Sequence, residues 1–401
     1  MNRFFLIIIF ILHFGFIWQI ELSWASSKGF LSQFQPHDAI YVIDENDHEI
    51  LGKHADLLCV PASILKIITS LAAFHYLGLD YRYKTEFYRG QDKNLIVKGY
   101  GDPVLVSEEL ETIAYKIQKQ YWRFSGIRLD ATYFKSDIRV PGTTHTFNPY
   151  DARNAALCVN FNTVCFQRSR GKLVTGEPHT PLIQFARDKI RRWIPDGRVN
   201  LFRNHDDIVF YAGHLMHYFL MKQGIDIPDK VQQGTISQND ELLLTHLSGA
   251  TVEEIVSMLL KFSNNFIANQ LLLSIGAKVY GPPATLEKGA EAVKLFAKKQ
   301  LGIHHFCIVE GSGISRRNKI SAKEMIKAVK AFAPYKHLLE QKENLFFKTG
   351  TLNGVRTRAG FIQVNDTETF PFVVMLNHKN ANNYRVNRVI KSLNRYLASK
   401  K

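Results

Sequence analysis

The chain is poor in cysteine: Cys59, Cys158, Cys165 and Cys307 are the only four in 401 residues, and none forms a C-x-x-C pair. That is too few for a disulfide scaffold, and it offers no thiol cluster for zinc or redox work. Internal repeats and low-complexity tracts are absent. Zinc-finger spacing and an aromatic-rich basic signature are also missing, so nothing favours nucleic acid despite a formal charge of +15. The excess of cations favours anionic partners in general: nucleic acid, anionic lipid or an acidic polymer. Cys158 and Cys165 lie seven apart in a strand-like stretch. On one straight strand they would be roughly 20 Å apart and could not bond. They can pair only if the chain reverses between them, at Asn160 to Asn162.

What is present is a folded composition, with 46% hydrophobic and 22% charged residues, long enough for two to three domains. The first residues carry a different signal. Asn2 and Arg3 precede a nearly continuous apolar run from Phe4 to Trp18, and Ser23-Trp24-Ala25 places small residues where a signal peptidase reads. This pattern predicts a secretory signal cleaved after Ala25; the run is short for a full membrane span. Removing residues 1–25 takes away Arg3 and Glu21, so the charge of +15 belongs to the mature chain. Such a protein works outside the cytoplasm, in the periplasm or an equivalent space, where nucleic acid is not its partner.

Along the chain, Ala39 to Asp44 and His48 to Leu51 read as strands around a turn. Pro61-Ala62-Ser63 opens an apolar helical run through Leu77, with Gly78 after its end. Residues 84–234 read as strand-rich and mixed. Helices return at Val252 to Phe262, Phe266 to Ile275 and Leu286 to Lys299. Late strands follow at Leu345 to Thr349, Ala359 to Val364 and Phe370 to Leu376, then a last helix from Arg385 to Leu397. The expectation is an α+β fold: an antiparallel sheet flanked by helices, built from residues 26–83 and 235–401, with a strand-rich domain inserted at 84–234. In the last helix Val386, Val389, Ile390, Leu393 and Leu397 form an apolar stripe among Arg385, Arg388, Lys391 and Arg395. That stripe suits either packing on the sheet or peripheral contact with a membrane.

Three short motifs carry chemistry. In Ser63-Ile-Leu-Lys66, a hydroxyl and an amine at i and i+3 share one helix face, so the amine can take the hydroxyl's proton. Free N–H groups at a helix start can also stabilise an oxyanion. In Ser263-Asn264-Asn265, set in the break between two helices, the Ser can relay a proton and the second Asn can hold a substrate amide. The same residues also serve as ordinary helix caps. In Lys348-Thr349-Gly350-Thr351, a strand offers a cation and hydroxyls for a carboxylate, and the glycine allows close backbone approach. A second S-x-N, Ser237-Gln238-Asn239, sits in a polar stretch and reads as a turn. The order S-x-x-K, S-x-N, K-T-G is the signature set of class A β-lactamases and penicillin-binding proteins.

With these motifs the chain resembles the class C low-molecular-mass penicillin-binding proteins, the D-alanyl-D-alanine carboxypeptidase/endopeptidases. Further stretches carry the resemblance: Lys98-Gly-Tyr-Gly-Asp-Pro103, Ala156-Leu-Cys-Val-Asn-Phe-Asn-Thr163, Gly311-Ser-Gly-Ile-Ser-Arg316, and Lys348-Thr-Gly-Thr-Leu-Asn-Gly-Val355 with Ala359-Gly360. The resemblance implies a penicillin-binding/β-lactamase-like transpeptidase domain. It implies Ser63 as nucleophile, Lys66 as its base and Ser263 as proton shuttle. Asn265 would bind the substrate backbone, Lys348 and Thr349 the terminal carboxylate, and the N–H groups of Ser63 and Thr351 the oxyanion. Peptidoglycan peptides would be substrates and β-lactams covalent inhibitors, with no metal and no cofactor. Two positions depart from the family pattern: Asn269 stands where an acidic residue usually follows the second motif, and Glu310 replaces the Asp of a D-G-S-G element. The rivals are a β-lactamase, whose E-x-x-L-N pattern is absent, and a non-catalytic wall-binding descendant, which would be expected to lose motif residues.

Overall fold

The computed structural model describes residues 29–121, 123–144, 146–365 and 368–399. The expected signal at residues 1–25 lies outside this set. Among the described residues no helix is long and apolar enough to cross a membrane. The chain divides into two compact units, one formed by the described residues up to Ile64 together with those from Lys319 on, the other by Leu65–Asn318.

The first unit is built on a six-stranded sheet. Its order is Glu340–Lys342, Leu345–Leu352, Val355–Gln363, Thr369–Leu376, Ala39–Ile43 and Glu49–Lys53, with every neighbour antiparallel. Alternation sets the two faces. Ile40 pairs with Val374 and Val42 with Phe372, and these residues pack with Val386, Val389, Ile390, Leu393 and Leu397 of the closing helix Asn383–Ala398. The apolar stripe is therefore buried on the sheet, and the membrane placement considered for it is corrected: five aliphatic side chains gain about 1.5–3 kcal/mol each from leaving water. The alternate residues Ala39, Tyr41, Val373 and Met375 are also buried, and the helix Ala322–Ala331 packs against the same strands.

In the second unit, the helices Lys66–Tyr76, Val252–Phe262, Asn265–Tyr280 and Leu286–Leu301 pack together. Glycines let two of them touch through their backbones. A Cβ on Gly276 would stand 2.6 Å from the Gly289 nitrogen, and one on Gly289 would stand 2.3 Å from the Leu272 oxygen. A five-stranded sheet runs Glu241–Thr251, Arg82–Arg89, Leu95–Gly99, Ile127–Asp130 and Val231–Gln233. A three-stranded sheet runs Lys172–Thr175, Val164–Ser169 and Gly197–Val199. Among the described residues, 84–234 hold strands together with three α-helices, Ser107–Gln118, Gln184–Arg187 and His205–Lys222, none of which the sequence pattern placed.

The chain does turn at Asn160–Asn162, where three successive residues are left-handed (φ 51°, 58° and 53°). Asn160 accepts from the Ser107 N–H at 3.0 Å, and Asn162 donates to the Arg153 carbonyl at 3.1 Å. The reversal does not produce a disulfide: all four cysteines are free.

Candidate active site

The first unit carries Ser63 and the K-T-G strand. Ser63 lies in a 3-10 turn, Ala62–Leu65, and the α-helix proper begins only at Lys66. The run expected to be helical from Pro61 is held out of register by the sheet. Val60 N–H donates to Asn377 Oδ1 (2.8 Å), Asn377 Nδ2 donates to the Val60 carbonyl (3.2 Å), and Thr357 Oγ1 donates to the Pro61 carbonyl (2.7 Å). Ala62 then takes a left-handed φ of 50° while fully buried. Such backbone strain costs of order 1–3 kcal/mol and persists only where its surroundings fix it.

Gly350 explains how close the two motifs come. A Cβ there would meet Thr357 Oγ1 at 2.1 Å, the Pro61 oxygen at 2.9 Å and the Ser63 nitrogen at 3.0 Å. The K-T-G backbone therefore lies against the Ser63 backbone, and only glycine permits it. Strand Leu345–Leu352 pairs along its full length with Val355–Gln363, but Glu340–Lys342 covers only Leu345 to Phe347 on the other side. Among the described residues, no strand of this sheet lies beside that edge from Lys348 onward, which suits an extended peptide adding as a further strand. Lys348 is buried, and its Nζ donates to the Thr349 carbonyl at 3.1 Å. Burial pushes its ammonium down to about 8, with Glu340 opposing and Arg358 adding to the shift. Arg358 itself lies opposite Thr349 in the ladder.

The second unit carries Lys66, Ser263 and Asn265. Lys66 is the first residue of its α-helix and is fully buried. A buried amine needs acceptors. Its Nζ donates to Asn265 Oδ1 at 2.8 Å and to the Ser312 carbonyl at 2.7 Å. Ser263 ends the helix Val252–Phe262 in a left-handed conformation (φ 50°, ψ 38°), which breaks the chain sharply. Asn264 then caps the next helix by accepting from the Ile267 N–H, so Asn265 opens that helix. Asn265 Nδ2 donates to the Tyr150 carbonyl at 3.2 Å.

Each expected site residue is thus placed. Ser63, Lys348, Thr349, Gly350 and Thr351 belong to one unit; Lys66, Ser263 and Asn265 belong to the other. The second S-x-N, Ser237 to Asn239, lies in a turn where Ser237 N–H donates to Asp240 Oδ2 (2.7 Å), as its polar setting indicated. Two contributors had no signal of their own in the sequence: Tyr150 acts through its backbone carbonyl, and Thr357 is one β-branched residue among many; Ser312 lies in the Gly311–Arg316 stretch but acts through its carbonyl, which that stretch does not reveal.

The fold and this motif set define a serine-dependent acyl-transfer enzyme. The model of the D-Ala-D-Ala carboxypeptidase 3 (S13) family matches residues 35–192 and 197–345, and the chain belongs to that family of serine peptidases. It is 25% identical to a D-alanyl-D-alanine carboxypeptidase, DacB, of Haemophilus influenzae over 83% of both chains. It is 27% identical to a D-alanyl-D-alanine carboxypeptidase of Actinomadura sp. over 72% of this chain and 63% of that one. The crystal structure of penicillin-binding protein 4 from Haemophilus influenzae superposes with a TM-score of 0.76 at 21% identity, covering 93% of this chain and 99% of that one. A predatory endopeptidase from Bdellovibrio bacteriovorus shares the fold more distantly (TM-score 0.56, 13% identity, 90% and 92% covered).

Proposed function

We propose that the protein is an exported D-alanyl-D-alanine carboxypeptidase/endopeptidase that acts on peptidoglycan peptides through an acyl-enzyme on Ser63. The observation that carries this reading is the buried Lys66 amine, fixed by Asn265 and Ser312, three residues after a serine whose backbone lies against Gly350. Ser63 Oγ attacks the carbonyl of the penultimate D-Ala while its proton passes to the Lys66 amine. The tetrahedral oxyanion takes hydrogen bonds from the N–H groups of Ser63 and Thr351, where losing one donor typically costs about 10²- to 10³-fold in rate. Ser263 hands a proton to the departing amine, and water then releases the peptide from the ester. Lys348 and Thr349 hold the terminal carboxylate, with Gly350 and Thr351 on the open strand edge that aligns the peptide. No step calls for a metal or a cofactor. A β-lactam has the same carbonyl and carboxylate and acylates Ser63 by the same route; penicillin-binding protein 4 of Haemophilus influenzae has been solved with a β-lactam.

The apolar N-terminal run supports export to the periplasm. We read residues 84–234 as an insertion into a catalytic chain of 26–83 and 235–401. The three-stranded sheet closes wholly within that segment, while the five-stranded sheet crosses both borders through Arg82–Arg89 and Glu241–Thr251.

The direct test is release of D-alanine from a peptide ending in D-Ala-D-Ala, with Ser63→Ala as control. The reading expects release by the wild type only, together with slow turnover of bound β-lactam. Rapid β-lactam hydrolysis without D-alanine release would favour the β-lactamase reading, and neither reaction would favour the wall-binding one.

A further inference from the structure

The two positions that depart from the family pattern meet in the fold. Glu310 is fully buried, and its two carboxylate oxygens are crowded with donors. Oε1 accepts from the N–H groups of Gly313 (2.8 Å) and Ser315 (3.2 Å) and from Asn318 Nδ2 (2.5 Å). Oε2 accepts from Ser312 N–H (2.7 Å), Ser312 Oγ (2.6 Å) and Asn269 Nδ2 (3.3 Å). One side chain thus closes the whole 310–318 loop. The Ser312 carbonyl on that loop is the one that accepts from Lys66.

Asn269 ties the other side. Its Oδ1 accepts from the Gly311 N–H at 2.8 Å, and its Nδ2 donates to the Asn265 carbonyl at 3.2 Å as well as to Glu310. Asn265 Oδ1 also accepts from Lys66. The contacts close a ring: Lys66 to Ser312, Ser312 to Glu310, Glu310 to Asn269, Asn269 to Asn265, and Asn265 back to Lys66. Thr69, on the helix that Lys66 opens, braces it by donating from Oγ1 to the Gly311 carbonyl at 2.8 Å.

We propose that Asn269 and Glu310 are positioning residues that set the place of the Lys66 amine through two of its oxygen partners, Asn265 Oδ1 and the Ser312 carbonyl; this rests on the reading of Lys66 as the base for Ser63. The donor pattern makes the pairing specific. An Asp at 269 could still accept from Gly311, but it would turn a second oxygen toward two acceptors, the Asn265 carbonyl and Glu310. Asn269→Asp therefore keeps the shape and breaks the ring. Glu310→Gln likewise keeps the length but turns an NH2 toward three donors, whereas Glu310→Asp keeps the charge and shortens the reach. Displacing a catalytic group by about 1 Å can cost on the order of 10²-fold.

The test resolves penicillin acylation into the pre-covalent dissociation constant and the acylation rate constant, alongside melting temperature and near-ultraviolet circular dichroism. For folded Asn269→Asp the proposal expects an acylation constant at least tenfold lower, with the dissociation constant within threefold of wild type. It also expects Glu310→Asp to keep more activity than Glu310→Gln. If Glu310→Gln fails to fold, the Asn269 variant decides alone. An acylation constant within twofold of wild type in Asn269→Asp, or a loss confined to the dissociation constant, would overturn the proposal while leaving the site reading intact. A folded wild type that is never acylated would overturn both.

Discussion

At the scale of single residues, Lys348 has the most measurable behaviour. Its ammonium is held down to about 8 by burial. A carboxylate-binding role needs that charge, which is present below about 8 and lost above it. The Michaelis constant for a peptide with a free C-terminal carboxylate is therefore expected to rise as pH passes from 7 to 9. The same peptide with an amidated terminus should show a flatter profile, and so should Lys348→Ala with either peptide. Equal profiles for free and amidated termini in the wild type would remove Lys348 from this role. Gly350 gives a steric prediction. In Gly350→Ala the new methyl must displace Thr357 Oγ1 or the Pro61–Ser63 backbone. Overpacking of this kind costs about 1–3 kcal/mol, and we expect acylation to fall by roughly the 10²- to 10³-fold of a lost oxyanion donor. Near-normal acylation in Gly350→Ala would show that the close approach to Ser63 is not needed.

At the scale of elements, the joint between two helices decides where the second motif stands. Ser263 stops one helix and Asn264 caps the next. Replacing a capping Asn by Ala costs about 1 kcal/mol, so Asn264→Ala should lower the melting temperature by a few degrees. It should also slow acylation, because Asn265 begins the helix it caps. An unchanged melting temperature would mean that the cap contributes nothing. The closing helix was ambiguous in sequence for a physical reason: an apolar stripe flanked by arginines satisfies a sheet and a lipid surface alike. The fold resolves it, since Leu393 is fully buried beside Phe372 and Val374. Leu393→Ala is expected to cost about 2–5 kcal/mol in chemical denaturation, and a value below 1 kcal/mol would contradict that packing.

At the scale of the molecule, the motif residues were legible and their supports were not. Ser63, Lys66, Ser263, Asn265 and Lys348 announce themselves because side-chain chemistry at fixed spacing is written in the sequence. The helical boundaries at Val252, Phe262 and Leu286 were equally readable from caps and apolar periodicity. What holds Lys66 was not, since the Ser312 carbonyl could belong to any residue and meets Lys66 across 246 positions. Asn269 and Glu310 looked like independent departures until the fold brought them within 3.3 Å. The late start of the α-helix at Lys66 was hidden for the same reason: the clamps at Val60 and Pro61 come from Asn377 and Thr357, roughly three hundred positions away.

The central claim is that Ser63 is a nucleophile in a working acyl-transfer site. Intact-protein mass after incubation with a penicillin, for the wild type beside Ser63→Ala, tests it most directly. The account predicts a stable adduct of one penicillin on the wild type and none on the variant. A well-folded wild type that gains no mass, or an adduct that persists in Ser63→Ala, would contradict it.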